Sequence, residues 1–326
     1  MRIHFIAIGG SAMHNLALAL ADAGHQVSGS DDQILEPSKS RLQQAGLHPK
    51  KEGWHPETIT PQLDCVILGM HARPDNPELI RAQELGLSIQ SYPEFLYNST
   101  ENDHRIVIGG SHGKTTITSM LLHAFKWSEK PVNFMVGAQL AGFDRMVQLD
   151  PQVQTAVFEG DEYLSSPLDR RPKFFWYQAH CTLLSGIAWD HINVFPTEEN
   201  YIDQFDTYLQ TLAPNATLVW CEEDEHLAKV VRQTKRKDLQ LISYRTPDTT
   251  LKADGSSEVH WSDGNRSQTP LIGTHNLQNL AGARALAEIV GIRTSDFDAA
   301  MMSFTGAARR LELLKETDSF TAFRDF

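Results

Sequence analysis

Ile106-Val107-Ile108-Gly109-Gly110-Ser111-His112-Gly113-Lys114-Thr115-Thr116 reads as a buried strand, a glycine-rich turn and the start of a helix. That order has a chemical use. Glycines let backbone N–H groups close around an anion, and the helix start adds partial positive charge. In such a loop Lys114 reaches the β- and γ-phosphates of a nucleoside triphosphate, and the Thr115 hydroxyl faces a magnesium ion. A general phosphate loop has glycine where Ile108 stands, so this loop is shorter than that consensus. The strand before it and the helix after it argue against a turn that binds nothing.

Outward from this loop, short apolar runs alternate with helical patterns, the signature of βα units around a parallel sheet. Upstream, strands are expected over residues 2–8, 26–30 and 64–68, and helices over 12–23 and from Asn76-Pro77-Glu78, where proline fits the first helical position. Tyr92-Pro93 and the polar residues 98–104 break the pattern and predict a domain boundary. Downstream, a strand at 105–108 and a helix at 114–127 open a second series. Strands at 155–158, 181–185, 217–220 and 239–244, a hairpin about Asp263-Gly264-Asn265, and a helix over 277–290 stopped by Gly291 complete it.

In an open parallel sheet the carboxyl ends of the strands face one crevice, where ligands bind. The strand at 155–158 runs into Glu159-Gly160-Asp161-Glu162, and that at 181–185 into Gly186-Ile187-Ala188-Trp189-Asp190-His191. Both ends are expected at the same phosphates: hard oxygen ligands suit magnesium, and a neutral imidazole completes a second metal site. Taken singly, the acidic turn also fits a solvated surface and His191 a core histidine. Near the amino terminus, Ala7-Ile8-Gly9-Gly10-Ser11-Ala12 resembles the dinucleotide fingerprint, with Asp31 at the spacing of a ribose-binding acid. Ala7 replaces the first glycine. By itself this turn fits a nicotinamide dehydrogenase, a nucleotide-sugar pocket or a tight βα connection.

A chain of 326 residues suits two domains, or two and the beginning of a third. No apolar run reaches the roughly 18 residues of a spanning helix, and the start enters a strand without a basic region or cleavage site, so the chain reads as cytoplasmic. Cys65, Cys181 and Cys221 sit in or beside apolar runs, which suits buried thiols better than disulfides or a zinc cluster. The net charge of −12 argues against nucleic acid or an anionic membrane as partner. It also means that anionic substrates need local cations: one pair of like charges costs about 4 kcal/mol at ~4 Å and an effective dielectric of ~20.

Five stretches occur in the order typical of Mur ligases: Ala7-Ile8-Gly9-Gly10-Ser11-Ala12-Met13, Gly110-Ser111-His112-Gly113-Lys114-Thr115-Thr116, Asp190-His191, Gly273-Thr274-His275-Asn276 and Phe304-Thr305-Gly306-Ala307-Ala308-Arg309-Arg310. The chain resembles that family over essentially its whole length. The resemblance implies an α/β protein with a Rossmann-like UDP-sugar-binding domain over residues 1–100 and a central P-loop ATPase domain with a mostly parallel sheet over 101–314. Residues 315–326 would begin a truncated C-terminal, Rossmann-like domain for the amino substrate. It further implies that Gly9, Gly10, Ser11, Met13 and Asp31 hold the UDP moiety, with His71 and Asn76 lining that site. Gly110, Ser111, His112, Gly113, Lys114, Thr115 and Thr116 would hold ATP. Thr115, Glu159 and His191 fall on metal-binding positions for Mg2+, His275 and Asn279 on the adenine site, and Arg310 on a phosphate contact; Lys114, Glu159, His191 and Arg310 form the implied catalytic set.

Within the family, Asp161-Glu162-Tyr163, Asp169-Arg170-Arg171-Pro172-Lys173-Phe174 and Trp189-Asp190-His191-Ile192-Asn193 are closer to the branch that joins the tripeptide L-Ala-γ-D-Glu-meso-diaminopimelate to UDP-N-acetylmuramate than to the L-alanine-adding branch. The implied reaction activates the sugar-acid carboxylate with ATP as an acyl phosphate, which an amine attacks, in peptidoglycan recycling. Gly186 stands where the family has asparagine. Because the chain ends where the third domain would begin, nucleotide-sugar binding without ligation is expected of these 326 residues. A NAD-dependent oxidoreductase leaves Lys114-Thr115 unexplained, and a non-catalytic nucleotide-sensing module is the alternative from another class.

Overall fold

The computed structural model describes residues 1–253, 255–306, 312–316 and 321–324. Its first part is a four-stranded parallel sheet. β1 (Arg2–Ile6) leads through α1 (Ser11–Asp22) to β2 (Gln26–Ser30), and α2 (Ser38–Gln44) precedes β3 (Cys65–Leu68). α3 (Pro77–Glu84), β4 (Ile89–Ser91) and α4 (Tyr92–Ser99) follow. The order β2-β1-β3-β4 places β2 and β3 on opposite sides of β1, so the connections diverge at its carboxyl end and open a crevice there. Ile3, Phe5 and Ile6 of β1 are fully buried, as expected of a strand covered on both faces.

The second series is β5 (His104–Gly109), α5 (Lys114–Trp127), β6 (Asn133–Met135), β7 (Val147–Gln148), β8 (Thr155–Glu159), β9 (Cys181–Leu184), α6 (Glu198–Thr211), β10 (Thr217–Cys221), α7 (Glu225–Gln233) and β11 (Gln240–Tyr244). These strands make one sheet in the order β11-β10-β9-β5-β8-β6-β7, parallel except for β7. β8 and β9 flank β5, so their carboxyl ends and the glycine-rich turn emerge together. β12 (Asp248–Leu251), β13 (Ser257–His260) and β14 (Arg266–Thr269) form a small antiparallel sheet, followed by α8 (Thr274–Ile289), α9 (Thr294–Met301) and the antiparallel pair β15 (Glu312–Glu316) and β16 (Thr321–Arg324).

One hydrophobic core runs through both large sheets. Phe174, Phe205, Tyr201 and Tyr208 pack behind the second sheet, Phe174 stacking on Tyr208 with centroids 4.2 Å apart. The sheets are also tied by polar contacts: Arg41 Nη2 donates to Gln139 Oε1 at 2.6 Å, and Arg145 pairs with Asp22 at 2.9 Å. All three cysteines are buried and free, and burial pushes the Cys181 thiol up to about 12.

The expected break at Tyr92-Pro93 is a helix instead. Ser91 accepts from the Glu94 N–H at 3.3 Å while the Glu94 carboxylate accepts from the Ser91 N–H at 3.2 Å, a capping box. Pro93 sits in the first turn, where no N–H is needed. The hairpin about Asp263-Gly264-Asn265 is present between β13 and β14.

Candidate active site

The glycine-rich turn packs so tightly that its glycines have no substitute. Gly110 has φ +117°, and a Cβ there would collide with Ser185 Oγ; Gly113 has φ +74°, and its Cβ would strike the Asn279 amide. The turn is laced to the loop after β9, with Ser111 N donating to Gly186 O at 3.0 Å and Ala188 N to Ser111 Oγ at 2.7 Å. Ser185 Oγ donates to His112 O.

Lys114 opens α5 and curls back: its Nζ donates to Gly110 O at 2.7 Å and to both oxygens of Glu162, the nearer at 2.8 Å. Glu162 is completely buried. The Tyr201 hydroxyl donates to it at 2.8 Å and itself lies 3.0 Å from Ser111 Oγ, while His191 Nε2 is 3.6 Å from Glu162 Oε1. Glu162 therefore joins the phosphate turn to the Asp190-His191 loop. Next to it, Thr115 Oγ1 donates to Glu159 Oε1 at 2.8 Å and Gly137 N to Glu159 Oε2 at 2.7 Å. Burial raises the Glu159 carboxyl above its usual range, against those two donors. Burial also acts on Asp161, but the Lys173 ammonium at 2.5 Å outweighs it and holds that carboxyl low. His191 adopts φ +54°, a left-handed backbone uncommon outside glycine.

All of this opens on one cavity of about 850 Å³. Its walls include Ser111, His112, Gly113, Lys114, Thr115, Thr116, Glu159 and His191, and from the start of α8 His275 and Asn279. From the first sheet come Gly10, Ser11, Met13 and His71. The sites read separately from the two glycine turns thus share one space. Three helices, α1, α5 and α8, begin at this cavity at Gly10, Gly113 and Gly273 with no side chain capping them. Elsewhere α3, α4, α6 and α7 are capped by Asn76, Ser91, Thr197 and Asp224, while α2 and α9 lack a side-chain cap but start away from the cavity. Free N–H groups at three helix starts suit phosphate groups.

Some expected residues lie elsewhere. Asn76 is buried, and its Oδ1 accepts from Glu78 N and Leu79 N at 2.9 and 3.1 Å; it caps α3 and is not part of the cavity wall. Asp31 is 6% exposed, with its carboxylate on the Gly9 N–H at 2.7 Å, so Gly9 and Asp31 shape the turn from behind. Gly110 supports the loop without lining the cavity. Arg310, with Arg309, lies outside the described residues. Sequence reading missed Tyr201, Tyr92 and Lys173 as site residues, and it placed Glu162 in the acidic turn without singling it out. The dipeptide Asp161-Glu162 at a strand end carried the signal for Glu162; Tyr201 comes from α6, a helix not foreseen.

Residues 108–287 match the family model of the Mur ligase middle domain, and residues 2–103 that of the Mur ligase family catalytic domain. The chain belongs to the Mur ligase family. Mur ligases are ATP-dependent, ADP-forming amide ligases. Among relatives of this Mur ligase chain, the UDP-N-acetylmuramate–L-alanyl-γ-D-glutamyl-meso-2,6-diaminoheptandioate ligase of Escherichia coli is 28% identical over 340 residues, covering 100% of this chain and 72% of that protein. The UDP-N-acetylmuramate–L-alanine ligase of an Arthrobacter species is also 28% identical, covering 100% of this chain and 69% of that protein. Among solved structures, the UDP-N-acetylmuramate:L-alanyl-γ-D-glutamyl-meso-diaminopimelate ligase from Neisseria superposes with a TM-score of 0.82 at 26% identity, over 93% of this chain and 98% of that one. A murein peptide ligase from Psychrobacter arcticus gives 0.81 at 25% identity, over 100% and 73%.

Proposed function

We propose that this Mur ligase chain binds UDP-N-acetylmuramate between the α1 turn and His71, binds ATP on the α5 turn, and serves the joining of the sugar-acid carboxylate to the tripeptide L-Ala-γ-D-Glu-meso-diaminopimelate. The observation that carries the reading is the single cavity bounded by Lys114, Thr115 and Glu159 on one side and by Gly10, Ser11 and Met13 on the other. A carboxylate oxygen attacks the γ-phosphorus of ATP, ADP leaves, and the amine then displaces phosphate from the acyl phosphate. Lys114 neutralises charge on the phosphates of ATP, and the uncapped starts of α5 and α1 receive the phosphates of the two nucleotides. His275 and Asn279, at the start of α8, are placed for the adenine. The reaction fits the cytoplasm, and no described helix is long and apolar enough to cross a membrane.

Thr115 and Glu159 suit Mg2+, because a hydroxyl and a half-buried carboxylate 2.8 Å apart are hard oxygen donors, and His191 stands on the same cavity. A magnesium ion held here would be shared with the substrate phosphates. When bound, Mg2+ supplies charge neutralisation at the transferring phosphoryl group.

The tripeptide is favoured because solved structures at 26% and 25% identity are a tripeptide ligase and a murein peptide ligase. L-Alanine is the second reading, since the Escherichia and Arthrobacter relatives are equally identical. Two assays test the proposal. Trapping the acyl phosphate with hydroxylamine should report ATP- and UDP-N-acetylmuramate-dependent product that Lys114→Ala abolishes while sugar binding survives; product from the variant contradicts the assignment of Lys114. An amine panel covering the tripeptide and L-alanine, with released phosphate as readout, decides the acceptor.

A further inference from the structure

We infer that Lys173 is a substrate-binding cation that receives the carboxylate of the sugar acid at the seam between the two large sheets. The inference rests on the proposed nucleotide-sugar site and names a contact within it. Among the described residues lining the cavity, the lysines are Lys114 and Lys173. Lys114 belongs to the phosphate turn, held there by Gly110 O and Glu162. It cannot also neutralise the second anion that must approach the γ-phosphate.

Lys173 is placed for that task. Its ammonium lies 5.6 Å from the ring centroid of Tyr92 and 5.6 Å from that of Tyr163. Tyr92 starts α4 at the carboxyl end of β4 in the first sheet, whereas Tyr163 follows β8 in the second, so the cation spans the boundary across which sugar and triphosphate must meet. The backbone holds it there: Lys173 N donates to Tyr163 O at 2.9 Å and Phe174 N to Asp161 O at 3.1 Å, with Phe174 fully buried. Aromatic faces and low exposure, 13% for the side chain, keep the ammonium poorly hydrated and therefore strongly attractive to a carboxylate. Asp161 holds it at 2.5 Å. On this reading Asp161 is a stand-in for the substrate carboxylate, and a purely structural ion pair is the alternative.

The two roles give opposite results for the two partners. Calorimetry on the 326-residue chain compares UDP-N-acetylmuramate with UDP-N-acetylglucosamine, the same nucleotide sugar without the lactyl carboxylate. The wild type is expected to prefer the acid by roughly ten-fold, the scale of one charge-assisted hydrogen bond. Lys173→Met should reduce that preference to within about two-fold while leaving the neutral sugar unaffected, and Lys173→Arg should retain part of it. Asp161→Asn, which frees the ammonium, should keep or enlarge it. Should Lys173→Met fold poorly with Asp161 left unpaired, the double variant Asp161→Asn/Lys173→Met removes both charges and should show the same collapse. Equal weakening of both sugars by Lys173→Met and Asp161→Asn, or a preference that persists in Lys173→Met, overturns the inference. A wild type that binds neither sugar overturns the nucleotide-sugar site itself, an outcome visible without any variant.

Discussion

Glu162 and Lys114 form a charge pair in which the carboxylate has no access to water and the ammonium little, at 0% and 15% exposure. Removing one partner of such a pair leaves an uncompensated buried charge, at a cost of about 3 kcal/mol, whereas removing both charges relieves most of it. Lys114→Ala should therefore lower stability in urea by about 3 kcal/mol, and Lys114→Ala/Glu162→Gln should recover more than half of that loss. Strictly additive losses would mean that the two groups do not sense each other. Asp31 supplies a pH dependence of a different origin. Burial lifts its carboxyl to about 6 from an ordinary value of 3.8, despite the Gly9 N–H that favours the charged form. Between those values the folded chain holds a proton that the unfolded chain has released, so this group's contribution to stability is greatest below about pH 4 and falls as pH rises toward 6. Asp31→Asn keeps an acceptor for Gly9 without titrating. The stability of the variant relative to wild type should rise by about 2 kcal/mol across that interval. A flat difference between pH 4 and 7 would place the Asp31 pKa at its ordinary value.

The helix starts closed by a side chain support the fold, whereas α1, α5 and α8 are open and face the cavity; α2 and α9 are open away from it. α3 is closed by Asn76, so Asn76→Ala should lower stability by about 1 kcal/mol, with UDP-N-acetylmuramate affinity changed less than about two-fold, and Asn76→Asp should restore it. A large loss of affinity at unchanged stability would return Asn76 to the ligand site. Local signals explain what could be read in advance. The helix over 114–127 and the strand over 26–30 were legible to the residue, because their apolar periodicity and glycine or acidic stops are local signals. β6 and β7 were not. They have three and two residues, and only pairing with β8 and with each other makes them strands. Tyr92-Pro93 misled because proline breaks a helix interior yet fits its first turn, and the deciding signal was the Ser91/Glu94 box around it. For the site, Lys114, Thr115 and Glu159 were legible because each ends or follows a strand of one parallel sheet. The linkage of Lys114 to His191 through Glu162 and Tyr201 depends on how α6 packs, which spacing along the chain does not encode.

Across the molecule, a net charge of −12 opposes the entry of two nucleotides that are themselves anionic, while Lys114 and Lys173 line the cavity. Which field a ligand feels depends on salt. At 0.01 M ionic strength the Debye length is about 30 Å, so an approaching nucleotide senses the repulsive charge of the whole chain; at 0.15 M it is about 8 Å, and nearby cations dominate. Association of UDP-N-acetylmuramate and of Mg-ATP should therefore speed up with added salt, by roughly two- to five-fold between these conditions, the reverse of what an attractive steering field produces. Stopped-flow fluorescence, using the tryptophans or a labelled nucleotide, measures this directly. The dissociation rates should respond much less, because the contacts at Lys114, Glu159 and the helix starts lie inside the cavity, where mobile ions screen poorly. An on-rate that falls with salt would show that the potential at the cavity mouth is positive despite the net charge, with the acidic residues gathered on faces the substrates never approach.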